Sequence, residues 1–143
     1  MIFIQVLICL GYRRYTQLMK RTPTDIRLHS KSKLLEVVFD DETFMLPCEY
    51  LRVNSPSAEV KGHGPGQEVL QLSKENVNIV SIEPVGNYAV RLIYTDSHNS
   101  GLYTWDYLYE LGQNRMSMWQ AYLAQLQDAG HSRLPQENDK YFS

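Results

Sequence analysis

The sequence holds only two cysteines in 143 residues. Cys9 and Cys48 stand far apart, neither with a second cysteine close by. That spacing excludes a disulfide framework and a four-thiolate zinc site, and it fits a reducing, cytoplasmic compartment. Long apolar runs are missing too. The most apolar stretch, residues 1–10, is half the roughly 20 residues that a membrane helix needs. Its positive charges, Arg13 and Arg14, follow it rather than precede it, the reverse of a secretory signal. H-E-x-x-H, G-x-S-x-G, a Walker loop and an H-x-D or H-x-E pair are all lacking. The local signatures of metalloproteases, serine hydrolases, nucleotide binders and facial-triad iron enzymes are therefore missing.

What remains is a chain with 43% hydrophobic and 21% charged residues. Such a chain folds as one domain and buries roughly two-thirds of its unfolded surface. The net charge of −2 hides an asymmetry. Residues 1–33 carry seven bases against the single acid Asp25, whereas residues 34–143 carry seven bases against fifteen acids. An acidic body repels phosphate backbones. Nucleic-acid contact through the basic N-terminal segment is thus the weakest of three functional alternatives. Membrane association is not expected.

Residues 1–21 read as an N-terminal extension. The segment 1–18 is either an extra strand or short helix packed on the body, or a weakly ordered stretch preceding a functional start at Met19. The body, residues 22–130, begins with the alternating strand Asp25–His29. Residues 34–39 and 43–47 form a hairpin around Asp40-Asp41-Glu42 and end at Pro47. A short helical or irregular stretch follows at Cys48–Val53, with Cys48, Leu51 and Tyr50 inward. Residues 54–68 make the longest loop, punctuated by Ser, Pro and Gly. Strands are expected at 77–83, 88–94 and 102–105, with a turn at 84–87. Asp106 is expected to cap a helix that Gly112 breaks. Met116, Trp119, Tyr122, Leu123 and Leu126 then mark an amphipathic helix that Asn114 can cap. Residues 131–143 read as a polar, frayed C-terminal tail. Strands first and helices last predict an α+β fold, an antiparallel sheet built from hairpins with a C-terminal helix pair on one face.

Candidate chemistry is sparse. Gly62-His63-Gly64-Pro65-Gly66 lacks the strand–turn–helix setting of a phosphate loop, and Pro65 removes an amide. It reads as a shaped surface loop. The turn 96–101 (DSHNSG) concentrates polar groups that either satisfy their own backbone or orient His98 for proton or metal work. Tyr103, Trp105, Tyr107 and Tyr109 read as packing rather than a stacking platform. No catalytic constellation emerges, so an enzyme is not expected. Cys48 reads as buried and inert.

Two segments carry a resemblance: Leu51–Glu59 (LRVNSPSAE) and Asp96–Leu108 (DSHNSGLYTWDYL). They are similar to the gamma-butyrobetaine hydroxylase-like N-terminal domain family, a domain of unknown function in its free-standing bacterial form. The resemblance covers about residues 22–130. It implies a zinc site in some members, whose ligand positions fall here on Ser55, Ser57, Val60 and His98. Only His98 keeps a zinc-type ligand, so the resemblance argues for the fold and against the metal. No cofactor is expected, and zinc or iron enters only by family analogy. Ser97 replaces the usual glycine of the second motif. Oxygenase activity belongs to a separate catalytic domain and does not carry over.

A related plant fusion to a P-loop ATPase of iron–sulfur assembly implies recognition of a protein partner. The expected role is thus an accessory, protein-interaction module linked to iron–sulfur assembly. The expected interaction surface comprises Arg52, Ser55, Ser57, His63, Asp96, His98 and Trp105. The remaining alternative is a metal-binding subunit or accessory of a 2-oxoglutarate/iron oxygenase.

Overall fold

The computed structural model describes residues 2–5 and 21–142. Its strands form two antiparallel sheets. The first has the order β1-β2-β3-β4, with β1 Ile2–Gln5, β2 Asp25–His29, β3 Leu34–Val38 and β4 Thr43–Pro47. The second has the order β5-β6-β7, with β5 Ile79–Val85, β6 Ala89–Tyr94 and β7 Leu102–Thr104. The helices are α1 Cys48–Val53, α2 Ala58–Lys61, α3 Trp105–Gln113 and α4 Arg115–Asp128, followed by a 3-10 helix at Glu137–Phe142. The fold is α+β, and the expected hairpins divide between two sheets rather than one. Strand β1 lies along β2 with Ile2 opposite Leu28 and Gln5 opposite Asp25. Residues 1, 6–20 and 143, and with them Cys9 and the expected start at Met19, lie outside the described residues.

Alternation places the core. Ile26 and Leu28 of β2, Leu35 and Val37 of β3, and Phe44 and Leu46 of β4 are buried. In the second sheet Ile82, Val90, Leu92, Tyr94 and Tyr103 are buried. Each such side chain stabilises the fold by about 1.5–3 kcal/mol through lost apolar exposure. Pro47 starts α1, and all six α1 residues are buried. Hydroxyls tie this buried helix to its neighbours. Tyr103 donates to the Leu51 carbonyl at 2.6 Å and Tyr50 to that of Leu111 at 2.7 Å.

Several boundaries differ from expectation for identifiable reasons. Strand β5 runs through Pro84, which the edge position tolerates because one side of the strand needs no ladder donor. Thr104, not Asp106, caps α3, its hydroxyl accepting from the Tyr107 amide at 3.1 Å. Asn114 starts α4 without a side-chain capping bond. Gly112 does not break the helix but lies inside α3, where a Cβ would collide with the Phe44 ring. Close approach of α3 to β4 is what requires the glycine. Gly112→Ala is expected to cost about 1–3 kcal/mol through overpacking. Chemical denaturation checks this, and a neutral result would contradict the contact.

The C-terminal tail is not frayed. The Phe142 ring stacks on Trp119 with centroids 4.1 Å apart. Asn138 donates to the Ser32 carbonyl at 3.0 Å. Arg133 holds the segment down by donating to Glu49, at 3.0 Å from Nε, and to Asp139, at 2.9 Å and 3.0 Å. No helix among the described residues is long and apolar enough to cross a membrane.

Candidate functional site

The polar turn between β6 and β7 meets the segment that follows α1. Ser97 adopts a left-handed φ of 70°, and the Ser97 amide donates to the Tyr94 carbonyl at 3.1 Å. The Tyr94 amide donates to the His98 carbonyl at 3.0 Å, closing the turn. This aims the His98 ring inward. There Nε2 lies 2.8 Å from Ser55 Oγ and 3.3 Å from Ser57 Oγ. On its other side Nδ1 lies 2.9 Å from Glu59 Oε2. A carboxylate can only accept, so Nδ1–H donates to Glu59 and Nε2 accepts from the serine hydroxyls. Burial, and next the Arg52 charge, hold the imidazole below its ordinary pKa, with Glu59 partly opposing them. The neutral form is therefore the one that the fold favours.

A second polar group flanks the first. Asp96 accepts from Arg52 Nε at 3.0 Å, Lys74 Nζ at 2.8 Å and the His98 amide at 3.3 Å. Burial works to raise the Asp96 pKa, but the Lys74 hydrogen bond and the Arg52 charge outweigh it and hold the carboxyl below its usual range. Arg52 also donates to the Gln71 side chain at 3.1 Å. The two groups together pin α1, residues 55–59 and residues 71–74 onto one β-turn.

Ser55, His98 and Glu59 have the connectivity of a nucleophile, a base and an orienting acid. Access is wanting. Ser55 is 0% exposed and His98 5%. The Gly101 backbone presses on Ser55 Oγ, leaving no space for even a methyl group. A substrate carbonyl could not approach the hydroxyl in this arrangement. The cluster acts as a strut between two loops.

Burial also corrects the expected surface. Arg52, Ser55, Ser57, His98 and Trp105 are all buried. Trp105 belongs to the core, with Nε1 donating to the Asn87 carbonyl at 2.6 Å. His63 is exposed and forms no hydrogen bond or ion pair among the described residues. It sits in a loop closed by the Val69 amide donating to the Val60 carbonyl at 2.8 Å. Gly62 makes that loop possible, with φ 72° and its Cα packed against the Gln67 backbone. Glu59, the partner of His98, was not among the expected residues. The available signal was an acid in the first turn of a helix begun by Ser57.

An open concave surface lies elsewhere among the described residues. A groove of about 540 Å³ runs between residues 53–70 and α4. Its apolar walls include Val53, Val60, Val69, Leu70, Met118 and Tyr122, and its rim carries Lys61, Glu68 and Asp128. Sequence reading missed it because its walls come from segments distant along the chain.

Residues 26–109 match the family described as gamma-butyrobetaine hydroxylase-like, N-terminal. The chain belongs to this family. Two NMR solution structures of similar proteins support the fold. One is 51% identical, covers 82% of this chain and 93% of that one, and has a TM-score of 0.70. The other is 50% identical, covers 84% and 90%, and has a TM-score of 0.71. A crystal structure of a protein with unknown function, of the DUF971 family from Acidithiobacillus ferrooxidans, is 38% identical. It covers 64% of this chain and 92% of that one, with a TM-score of 0.54. Comparison with curated proteins finds no match.

The family resemblance puts a zinc ion between the two loops, and the residues present do not fit one. Two neutral hydroxyls and an imidazole converge, and Val60 offers no donor at all. Structural zinc takes thiolates and imidazoles. No group of three or more His, Cys, Asp or Glu residues suited to a metal occurs among the described residues. Hydrogen bonds already occupy both nitrogens of His98. Cys48, the cysteine of the described body, is buried, and burial pushes its thiol up to about 12.

Ser97 bears on the same turn. Replacing it by glycine, the usual residue of the motif, removes a Cβ from a left-handed backbone. Ser97→Gly is expected to stabilise the protein by about 0.5–1 kcal/mol, the steric relief exceeding the added chain entropy. A denaturation midpoint that falls would contradict this reading of the turn.

Proposed function

We propose that this chain is a non-catalytic accessory module that docks on a protein partner in the cytoplasm, and that the partner belongs to iron–sulfur cluster assembly. One contrast carries the reading. His98, Ser55 and Ser57, the side chains nearest to a catalytic arrangement, are buried and satisfied by one another, while the groove beside α4 is open and lined in large part by apolar side chains. Such a surface suits recognition better than bond-making. The match over 93% and 90% of two solved chains supports reading the fold as a single module. The iron–sulfur link rests on the ATPase fusion that the family resemblance implies.

Affinity purification of the tagged full chain from its source organism, read by mass spectrometry, tests the proposal. Recovery of an iron–sulfur assembly ATPase or scaffold is expected. Recovery of a 2-oxoglutarate oxygenase would support the alternative accessory role instead. No protein enriched above the tag-only control would contradict the module reading.

A further inference from the structure

We infer that the groove between residues 53–70 and α4 receives an amphipathic helix of the partner, apolar on one face and flanked by Lys or Arg. This rests on the reading of the chain as a partner-docking module and names the chemistry of the partner. Three features of the groove lead there.

The groove is built in advance. The Val69 amide holds Val69 beside Val60 through its 2.8 Å bond to the Val60 carbonyl. Tyr122 of α4 donates to the Gln71 carbonyl at 2.7 Å, and the Gln71 side chain donates to the Val69 carbonyl at 3.0 Å. These bonds fix both walls, so little ordering remains for binding to impose.

The groove is open, and its apolar side chains alternate with polar ones such as Asn54 and Gln125. Val69 is 53% exposed, and Leu72 and Met116 are exposed close by in sequence to the two walls. Met118 lines the groove, and an unbranched thioether adapts to varied apolar partners. A volume of about 540 Å³ suits a few apolar side chains from one face of a helix rather than a flat surface.

The rim carries two carboxylates against one base. Neither Glu68 nor Asp128 has an ion-pair or hydrogen-bond partner among the described residues. Lys61, the base of the rim, is drawn to the Tyr107 ring, with Nζ 5.4 Å from its centroid. Two carboxylates without a partner among the described residues, set beside apolar side chains, complement basic residues bordering an apolar helix face.

The test titrates ¹⁵N-labelled full chain with two synthetic helical peptides of about four turns. One patterns Leu with Lys, and the other patterns Leu with Glu. The Leu/Lys peptide is expected to shift the amides of residues 60, 69, 70, 118 and 122 and to bind at least about tenfold tighter than the Leu/Glu peptide at near-physiological salt. The exposed double change Glu68→Lys/Asp128→Lys, checked for folding by the same spectrum, is expected to reverse that preference. Val69→Asp is expected to abolish binding of either peptide.

Equal affinity for both peptides, shifts centred elsewhere, or no binding would each overturn the inference. So would a partner, once recovered, that binds the double variant as tightly as the wild type. That last outcome would leave the module reading standing. Failure to recover any partner would count against the module reading and not against the groove.

Discussion

Arg133→Ala is expected to lower stability by about 3–5 kcal/mol, the largest loss from any single change considered. Arg133 is mostly buried, and it donates to Glu49, itself only 4% exposed. It also donates to Asp139, and its guanidinium lies 4.9 Å from the centroid of the Trp119 ring. Removing the arginine strands a buried carboxylate on α1. Burial already raises the Glu49 pKa, with Arg133 opposing it. Without that cation, Glu49 must take up a proton or expose itself.

The C-terminal segment would loosen with it, exposing Phe142 and one face of Trp119. Guanidinium unfolding measures the loss. The double change Glu49→Leu/Arg133→Met separates pairing from packing, since it deletes both charges at similar volume. It is expected to cost far less than Arg133→Ala alone. A double variant as unstable as the single one would mean that the ion pair is not what anchors the segment.

His98→Ala comes second, at about 2–4 kcal/mol. It leaves a cavity, leaves the buried hydroxyls of Ser55 and Ser57 with only their long 3.4 Å contact to each other, and frees Glu59 from its partner. The residue also sets a pH dependence. Its folded pKa is depressed below the ordinary 6.5, so the neutral form is the one that the fold prefers. That contribution is fully present above about pH 6.5 and is lost as the pH falls through the lower folded value. Stability measured between pH 7.5 and pH 5 should therefore decline in the wild type. It should decline less in His98→Gln, which cannot titrate. Parallel curves for the two proteins would contradict the assignment.

Much of the fold was legible because alternation is a local signal. Ile26 and Leu28, Phe44 and Leu46, and Leu92 and Tyr94 each read as inward from their own strand. What failed depended on contacts that no local pattern carries. Gly112 reads as a breaker until Phe44 is seen beneath it. Residues 131–142 read as frayed because what holds them is far away in sequence: Arg133 pairs with Glu49, the Leu134 amide donates to Glu75, and Asn138 donates to the Ser32 carbonyl. Division into two sheets could not be foreseen from the hairpins, which look alike in either arrangement.

The candidate site divides in the same way. The meeting of the 54–68 segment with the 96–101 turn was foreseeable, because the two resembling motifs share a site in the family. The burial of that meeting point was not. A surface was expected, and Ser55, Ser57 and His98 close on one another instead. Glu59 escaped notice because a single acid in a polar loop carries no mark of its partner. The groove escaped because Val60 and Val69 lie on one segment and Met118 on another, far along the chain.

The central claim is that hydrogen bonds among Ser55, Ser57, His98 and Glu59 fasten the two loops where the family resemblance puts a metal. Thermal unfolding of the untagged full chain in a strong chelator and in a small excess of zinc, with the bound metal counted, tests it most directly. The account predicts melting temperatures within about 1 °C of each other and no stoichiometric zinc. A resident ion held at about a hundredfold over its dissociation constant would add about 2.7 kcal/mol, a rise of roughly 5 °C or more for a chain of this size. A shift of that order, with one zinc per chain, would contradict the account.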